Sequence, residues 1–274
     1  MFKKQQVFSL FSMVAGVLCF LATQAHADEL RVCAGENEMP FSNVKKEGFE
    51  NALAEVIGQG LNKKVEFVFW KDPRYSVRDF LDKNKCDVVF GMDAADPRVL
   101  KTKPYFKSGY VFVTKEDREI DISSWNDEML KAKSFRIGVL PDSPGKVMLL
   151  QINRFDDMFD YFAEIQGYKS TRNNYIRVEP SRLVNDVESQ VLHAAELWAP
   201  EAARYVREAK TKLKMQLIKD DAKKSNGVKV PMHYDVVMGV RKGDTELQQA
   251  LNKVIDDKKV EIEAVLKKEG IPLL

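Results

Sequence analysis

The chain is poor in the residues that most often do chemistry at neutral pH. Its 274 residues include three histidines and three cysteines. Two of these, Cys19 and His26, fall in the first 27 residues. His193 precedes one strand-like run and His233 adjoins another, and neither sits in a metal-ligand or nucleophile spacing. No glycine-rich loop follows a strand, so a phosphate-cradling nucleotide site is not expected. Charge is nearly balanced, with 43 basic residues against 41 acidic ones, which gives no basic face for nucleic acid. Together these absences argue against an enzyme: no catalytic residue, no metal and no cofactor is expected.

Long apolar runs are also lacking after residue 22. The one at the N-terminus, "VFSLFSMVAGVLCFLA", follows Lys3 and Lys4 and leads into Ala25-His26-Ala27. A basic start, a short apolar stretch and a small-x-small site make a secretory signal. The run is shorter than the roughly 20 residues of a bilayer span. Residues 1–27 are therefore expected to be removed, leaving a periplasmic protein of residues 28–274 with no membrane segment. Loss of Lys3 and Lys4 makes that product formally neutral. Two cysteines remain, Cys33 and Cys86. In an oxidising compartment they form either one bridge or two separate buried thiols, and bridging needs Cα atoms within about 7 Å.

The pattern that is present is α/β. "LRVCA" (30–34), "VEFVFW" (65–70) and "DVVFGM" (87–92) read as strands, apolar on both faces as a covered parallel sheet requires. Leu53, Val56, Ile57 and Leu61 form one face of an intervening helix, and Val77, Phe80 and Leu81 mark a second. Further on, "FRIGV" (135–139), "YIRV" (175–178), "AAELW" (194–198) and "KMQLI" (214–218) suggest another α/β unit. It is bracketed by two similar segments, "YVFVTKED" (110–117) and "DVVMGVRKGD" (235–244). Leu247, Leu251, Val254 and Ile255 predict a closing helix. Two like strands around an inserted unit imply two crossings between two lobes.

In order, "LRVCAGENEMPFSN", "EGFENALAEVIG", "CDVVFGMDAADPR", "KPYFKSGYVFVTKED", "FRIGV" and "DVVMGVRKGDTELQQALNKV" resemble the family 3 periplasmic solute-binding proteins across nearly the whole chain. The resemblance implies the type II two-lobed fold with two hinge strands. One lobe would be residues 28–113 plus 233–274, the other 114–232. Within that family, the cysteines of "RVCA" and "CDVV" and the stretch "LWAPEAARY" (197–205) are most similar to the branch associated with bacterial methanol oxidation. That branch implies a non-catalytic accessory role, with subunits of a pyrroloquinoline quinone-dependent methanol dehydrogenase, or its cytochrome c, as partners. Ordinary family members imply the alternative, a receptor delivering an amino acid or similar small polar solute to an ABC importer.

The family's amino-acid site implies an Arg that forks the ligand carboxylate, hydroxyls that support it, and an acid for the ammonium. Arg98 stands at the Arg position, and guanidinium geometry suits that task. Asp93 and Ala95 stand where hydroxyls are usual, and Asp93 and Asp96 would repel a carboxylate or occupy the guanidinium themselves. Across the cleft, "LPDSPGK" offers Ser143 at a helix start. Asp142 adds a negative charge there, and Pro141 and Pro144 remove N–H donors. Trp198 replaces the ammonium-binding acid, with Glu196 two residues away. Phe41 either stacks on a ligand or packs within its lobe. Trp70 and Tyr75 either line the cleft or join the core. Glu50 suits a helix start whether or not anything binds.

Overall fold

The computed structural model describes residues 29–169 and 175–274. The expected leader, residues 1–27, lies outside the described residues. The chain opens with β1 (Glu29–Gly35), two short strands β2 (Asn37–Glu38) and β3 (Ser42–Asn43), then α1 (Phe49–Gly60) and β4 (Lys64–Trp70). A π-helical turn, Ser76–Leu81, leads to β5 (Val88–Asp93), the short β6 (Leu100–Lys101) and the long β7 (Phe106–Lys115). The inserted unit follows: β8 (Ile137–Val139), α2 (Pro144–Gln151), α3 (Phe159–Ile165), α4 (Pro180–Glu188), β9 (Ala194–Trp198), α5 (Ala199–Glu208) and β10 (Leu213–Leu217). The chain returns through β11 (His233–Val240) and ends in α6 (Thr245–Asp257) and α7 (Lys259–Glu269).

The strands run in the order β4-β1-β5-β11-β7-β9-β8, with β10 on β7 and β6 on β11. β1 is parallel to both β4 and β5, and β8 is parallel to β9. These are the crossover pairings that the strand-helix-strand pattern anticipates. β7 links the two halves because it changes partner along its length. Phe106 to Gly109 pair with β11, while Tyr110 to Thr114 pair with β9.

Each half has its own core. On one side of the first sheet Leu30, Val32, Leu53, Ile57, Val88 and Phe90 pack with Val236, Met238 and Leu251. On the other, Cys33, Val89 and Met92 meet Val77, Leu81 and Cys86. Val88 and Phe90 therefore enter one layer and Val89 and Met92 the other, the alternation shifting by one at Gly91, where φ is +69° and the ladder with β11 is irregular. With both faces covered, the strand had to be apolar on each. The inserted unit encloses Phe112, Trp125, Ile137, Val139, Leu183 and Leu197. Arg154 is buried there too, donating to the Leu130, Ala132 and Phe135 carbonyls and pairing with Asp157 at 2.7 Å.

Several local expectations need correction. "YIRV" is not a strand: residues 175–179 run without sheet partners into Pro180, while Tyr175 and Arg177 turn their side chains to Glu38. The helix around Val77 and Leu81 is one short π-helical turn, whereas the helix expected for Leu247, Leu251, Val254 and Ile255 is α6, followed by a further helix, α7. At the cysteines, the pairing of Val32 with Val88 means that a straight β5 would carry Cys86 opposite Leu30. The turn before β5 instead brings the Cys86 Cα to 5.4 Å from that of Cys33, and the two sulfurs are bonded.

Candidate functional site

Between the two halves lies a cavity of about 660 Å³. Phe41, Glu50, Asp93, Phe106 and Asp235 face it from the first half, and Tyr110, Asp142, Ser143, Trp198 and Glu201 from the second. It sits beyond the carboxyl ends of β5 and β9, where open α/β sheets bind ligands. Of the residues singled out in the sequence, Phe41, Asp93, Asp142, Ser143 and Trp198 meet here, and Glu50 joins them.

Trp70 and Arg98 do not. Trp70 ends the edge strand β4 and packs beside Cys33, Val77 and their neighbours. Arg98 is held by the acid two residues before it, its Nε and Nη2 donating to Asp96 at 3.0 and 2.6 Å in an exposed pair. An Asp-Pro-Arg turn lets the guanidinium fold back on its own loop. Asp93, the other candidate partner for Arg98, instead accepts the Ala95 N–H at 2.8 Å and keeps its place on the cavity wall. Phe41 packs within its own half, on Phe49 with ring centroids 5.3 Å apart, and also lines the cavity.

The second anchor is occupied as well. Ser143 precedes α2, and its hydroxyl donates to Glu196 Oε2 at 2.7 Å. The Gly145 N–H also points to that carboxyl, and the approach is so close that a Cβ on residue 145 would lie 2.5 Å from Oε2. Glu196 is fully buried, and burial pushes its pKa up to about 8 despite these two donors. The start of α2, with its free N–H groups and Ser143, is thus filled by the chain's own carboxyl.

What remains open is acidic and aromatic. Burial, reinforced by Glu38, raises Glu50 to about 8. Glu201 rises to about 7, burial outweighing the lowering by Arg177. Tyr110, Trp198 and Tyr234 touch one another, with centroid separations of 5.4, 5.9 and 6.1 Å. Glu201, Tyr110 and Tyr234 were not singled out in the sequence. The signals that could have marked them are the acid in the first turn of a helix opened by Ala-Pro, and the tyrosine shared by "GYVFV" and "HYDVV".

Beside the cavity the halves are tied together. Glu38 accepts from Tyr175 at 2.9 Å and pairs with Arg177, which also donates to the Met39 carbonyl. On another side Arg204 of α5 pairs with Glu269 of α7 at 2.6 Å and reaches the Glu47 carbonyl. The histidines take structural positions: His193 Nδ1 accepts the Arg136 N–H, and His233 Nε2 lies 2.8 Å from the Ile218 carbonyl oxygen. Among the described residues no cluster of His, Cys, Asp and Glu suits a metal, and no helix is long and apolar enough to cross a membrane.

Residues 30–268 match the model of the bacterial extracellular solute-binding proteins, family 3. The chain is 41% identical to Protein MoxJ of Methylorubrum extorquens over 254 residues, covering 92% of this chain and 84% of that protein. It is 38% identical to Protein MoxJ of Paracoccus denitrificans, covering 93% of each. The crystal structure of MxaJ from Methlophaga aminisulfidivorans MPT superposes with a TM-score of 0.84 at 41% identity, over 89% of this chain and all of that one.

Proposed function

Because the chain belongs to the bacterial extracellular solute-binding proteins of family 3, we propose that it uses their scaffold as a non-catalytic periplasmic accessory protein of methanol oxidation. In that role it supports the assembly or activity of a pyrroloquinoline quinone-dependent methanol dehydrogenase. The observation that carries this reading is the full-length likeness to MoxJ and MxaJ, which covers both halves and the cleft between them. Its partners are the dehydrogenase subunits or their cytochrome c. We divide the chain into a first lobe formed by the N-terminal and C-terminal segments and a second formed by the insert. Strands β7 and β11 are the hinges in this reading; the exchange of β11 for β9 along β7 at Gly109–Tyr110, a few residues before the boundary at 113 that the resemblance implies, supports it.

The cleft favours this role over solute import. An amino-acid receptor needs a free guanidinium and a free helix start for the ligand carboxylate. Here Asp96 holds Arg98, and Glu196 fills the donors at α2. Deleting the gene tests the proposal directly. Methanol-grown cells of the deletion strain are expected to make the dehydrogenase polypeptides but to contain little active, assembled enzyme. Normal dehydrogenase activity in that strain would overturn it. Export is tested by fractionation, with a periplasmic product beginning at Asp28 expected from mass spectrometry.

A further inference from the structure

The groups left open in the cleft match a ligand of the opposite charge to a carboxylate. Glu50 stands at the start of α1 with its carboxyl against Gly91, whose φ is +69° and whose missing Cβ would lie 2.2 Å from Oε1. No hydrogen-bond donor within the described residues reaches that carboxyl, although it faces the cavity. Glu50 is partly buried and opens onto the cavity, so a carboxyl there with no hydrogen-bond partner keeps its acceptor capacity free for a cation. Glu201 faces the same cavity, and Asp93 presents a carboxylate of which one oxygen holds the Ala95 N–H. The basic groups on the wall do not neutralise this set: Lys229 is paired with Asp220, and Lys224 is exposed. Beside the acids lie Tyr110, Trp198 and Tyr234, whose faces attract cations and apolar bodies alike.

We propose that the cleft binds a small organic ammonium compound, an amine with an apolar body and no carboxylate. Glu50 and Glu201 take the ammonium, and the Tyr110–Trp198–Tyr234 group takes the body. The positions that would have held a carboxylate are closed by Asp96 on Arg98 and by Glu196 on Ser143. The volume of the cavity suits a ligand of this kind, since small-molecule sites commonly span about 300–1,000 Å³. This selectivity belongs to the cleft and stands apart from the role in methanol oxidation, so each can fail without the other.

Calorimetric titration of the mature protein at pH 8 with three probes of similar shape tests it: phenethylammonium, 2-phenylethanol and 3-phenylpropanoate. Saturable binding of the ammonium is expected, with the alcohol about tenfold weaker or more, as loss of a charge-assisted contact implies, and the carboxylate not bound. Glu50→Gln is expected to weaken the ammonium about tenfold, and Trp198→Leu to weaken both the ammonium and the alcohol. Circular dichroism melting of each variant checks that it is folded. No saturable heat with the amine, a carboxylate that binds as tightly as the amine, or a folded Glu50→Gln protein that binds the amine like the wild type would each overturn the proposal.

Discussion

The two anchors of the cleft are closed by the same device in opposite settings. In the first lobe Asp96 clasps Arg98 in an exposed loop, with the Arg98 side chain half in water. In the second, Glu196 lies under α2 with no solvent contact and accepts from Ser143. The Arg98 guanidinium holds Asp96 below the usual carboxylate range, whereas burial holds Glu196 well above it. Near neutral pH one carboxyl is charged and the other largely keeps its proton. An exposed ion pair of this kind contributes about 0–1 kcal/mol. A buried carboxyl is bound into the packing, so its removal disturbs both the donors it meets and the space it fills. The first closure is therefore loose and local, and the second is part of the lobe's core.

The largest effect that separates them is a pH response of opposite sign. A carboxyl whose pKa is raised on folding stabilises the native state below its unfolded value, and that stability is lost as pH rises through the folded value. Glu196 and Glu50, both at about 8, and Glu201 at about 7 all act in this sense. Stability is expected to fall between about pH 4.5 and pH 8, by on the order of 3–5 kcal/mol from the fully buried Glu196 and by a further, smaller amount from the partly buried Glu50 and Glu201, measured as urea unfolding free energy across that range. Glu196→Gln is expected to flatten part of the slope. Asp96, with its lowered pKa, contributes stability that is present above its ordinary value and is lost on acidification. A flat profile from pH 5 to 8 would mean that the buried Glu196 and the partly buried Glu50 and Glu201 do not differ between folded and unfolded chains.

Next in size is the removal of the buried closure itself. Glu196→Ala leaves the Ser143 hydroxyl and the Gly145 N–H without their acceptor and opens a void beneath α2. A loss of about 2–3 kcal/mol is expected near pH 4, below the ordinary carboxyl value, where Glu196 is neutral in the folded chain and mostly neutral in the unfolded one. A loss below about 0.5 kcal/mol would show that Glu196 is not integral to the lobe.

Where local pattern dictates structure, the sequence was readable. The face of Leu53 and Ile57 and the doubly apolar β5 correspond to elements that pack as those patterns require, and the two similar segments at 110–117 and 235–244 lie on strands β7 and β11. The family membership and fold also followed from the order of the motifs. "YIRV" misled because β-branched and aromatic residues report only a preference for half-buried surfaces. Tyr175 and Arg177 satisfy it by reaching across to Glu38. Which acid would meet which donor was not legible. Asp93 and Asp96 are equivalent in sequence terms, and only the turn at Pro97 delivers Asp96 to Arg98 while Asp93 folds onto Ala95. Likewise nothing local tells that Glu196, rather than Asp142, turns inward to Ser143. That choice depends on β9 lying beside β8, a pairing between distant segments.

The smallest expected effect tests the exposed closure. Asp96→Asn removes the charge that holds Arg98 and retains a turn-forming side chain. A change in stability of less than about 1 kcal/mol is expected, since the pair is solvent-screened. If Asp96 alone stood between this cleft and an amino-acid site, the variant would gain binding of a free amino acid such as glutamate, visible as a ligand-dependent rise in melting temperature. No such gain is expected, because Arg98 does not line the cavity and the second anchor remains filled by Glu196. A rise with Asp96→Asn alone would show that the loop can swing the guanidinium inward, and that the exposed closure, not the buried one, decides what the cleft accepts.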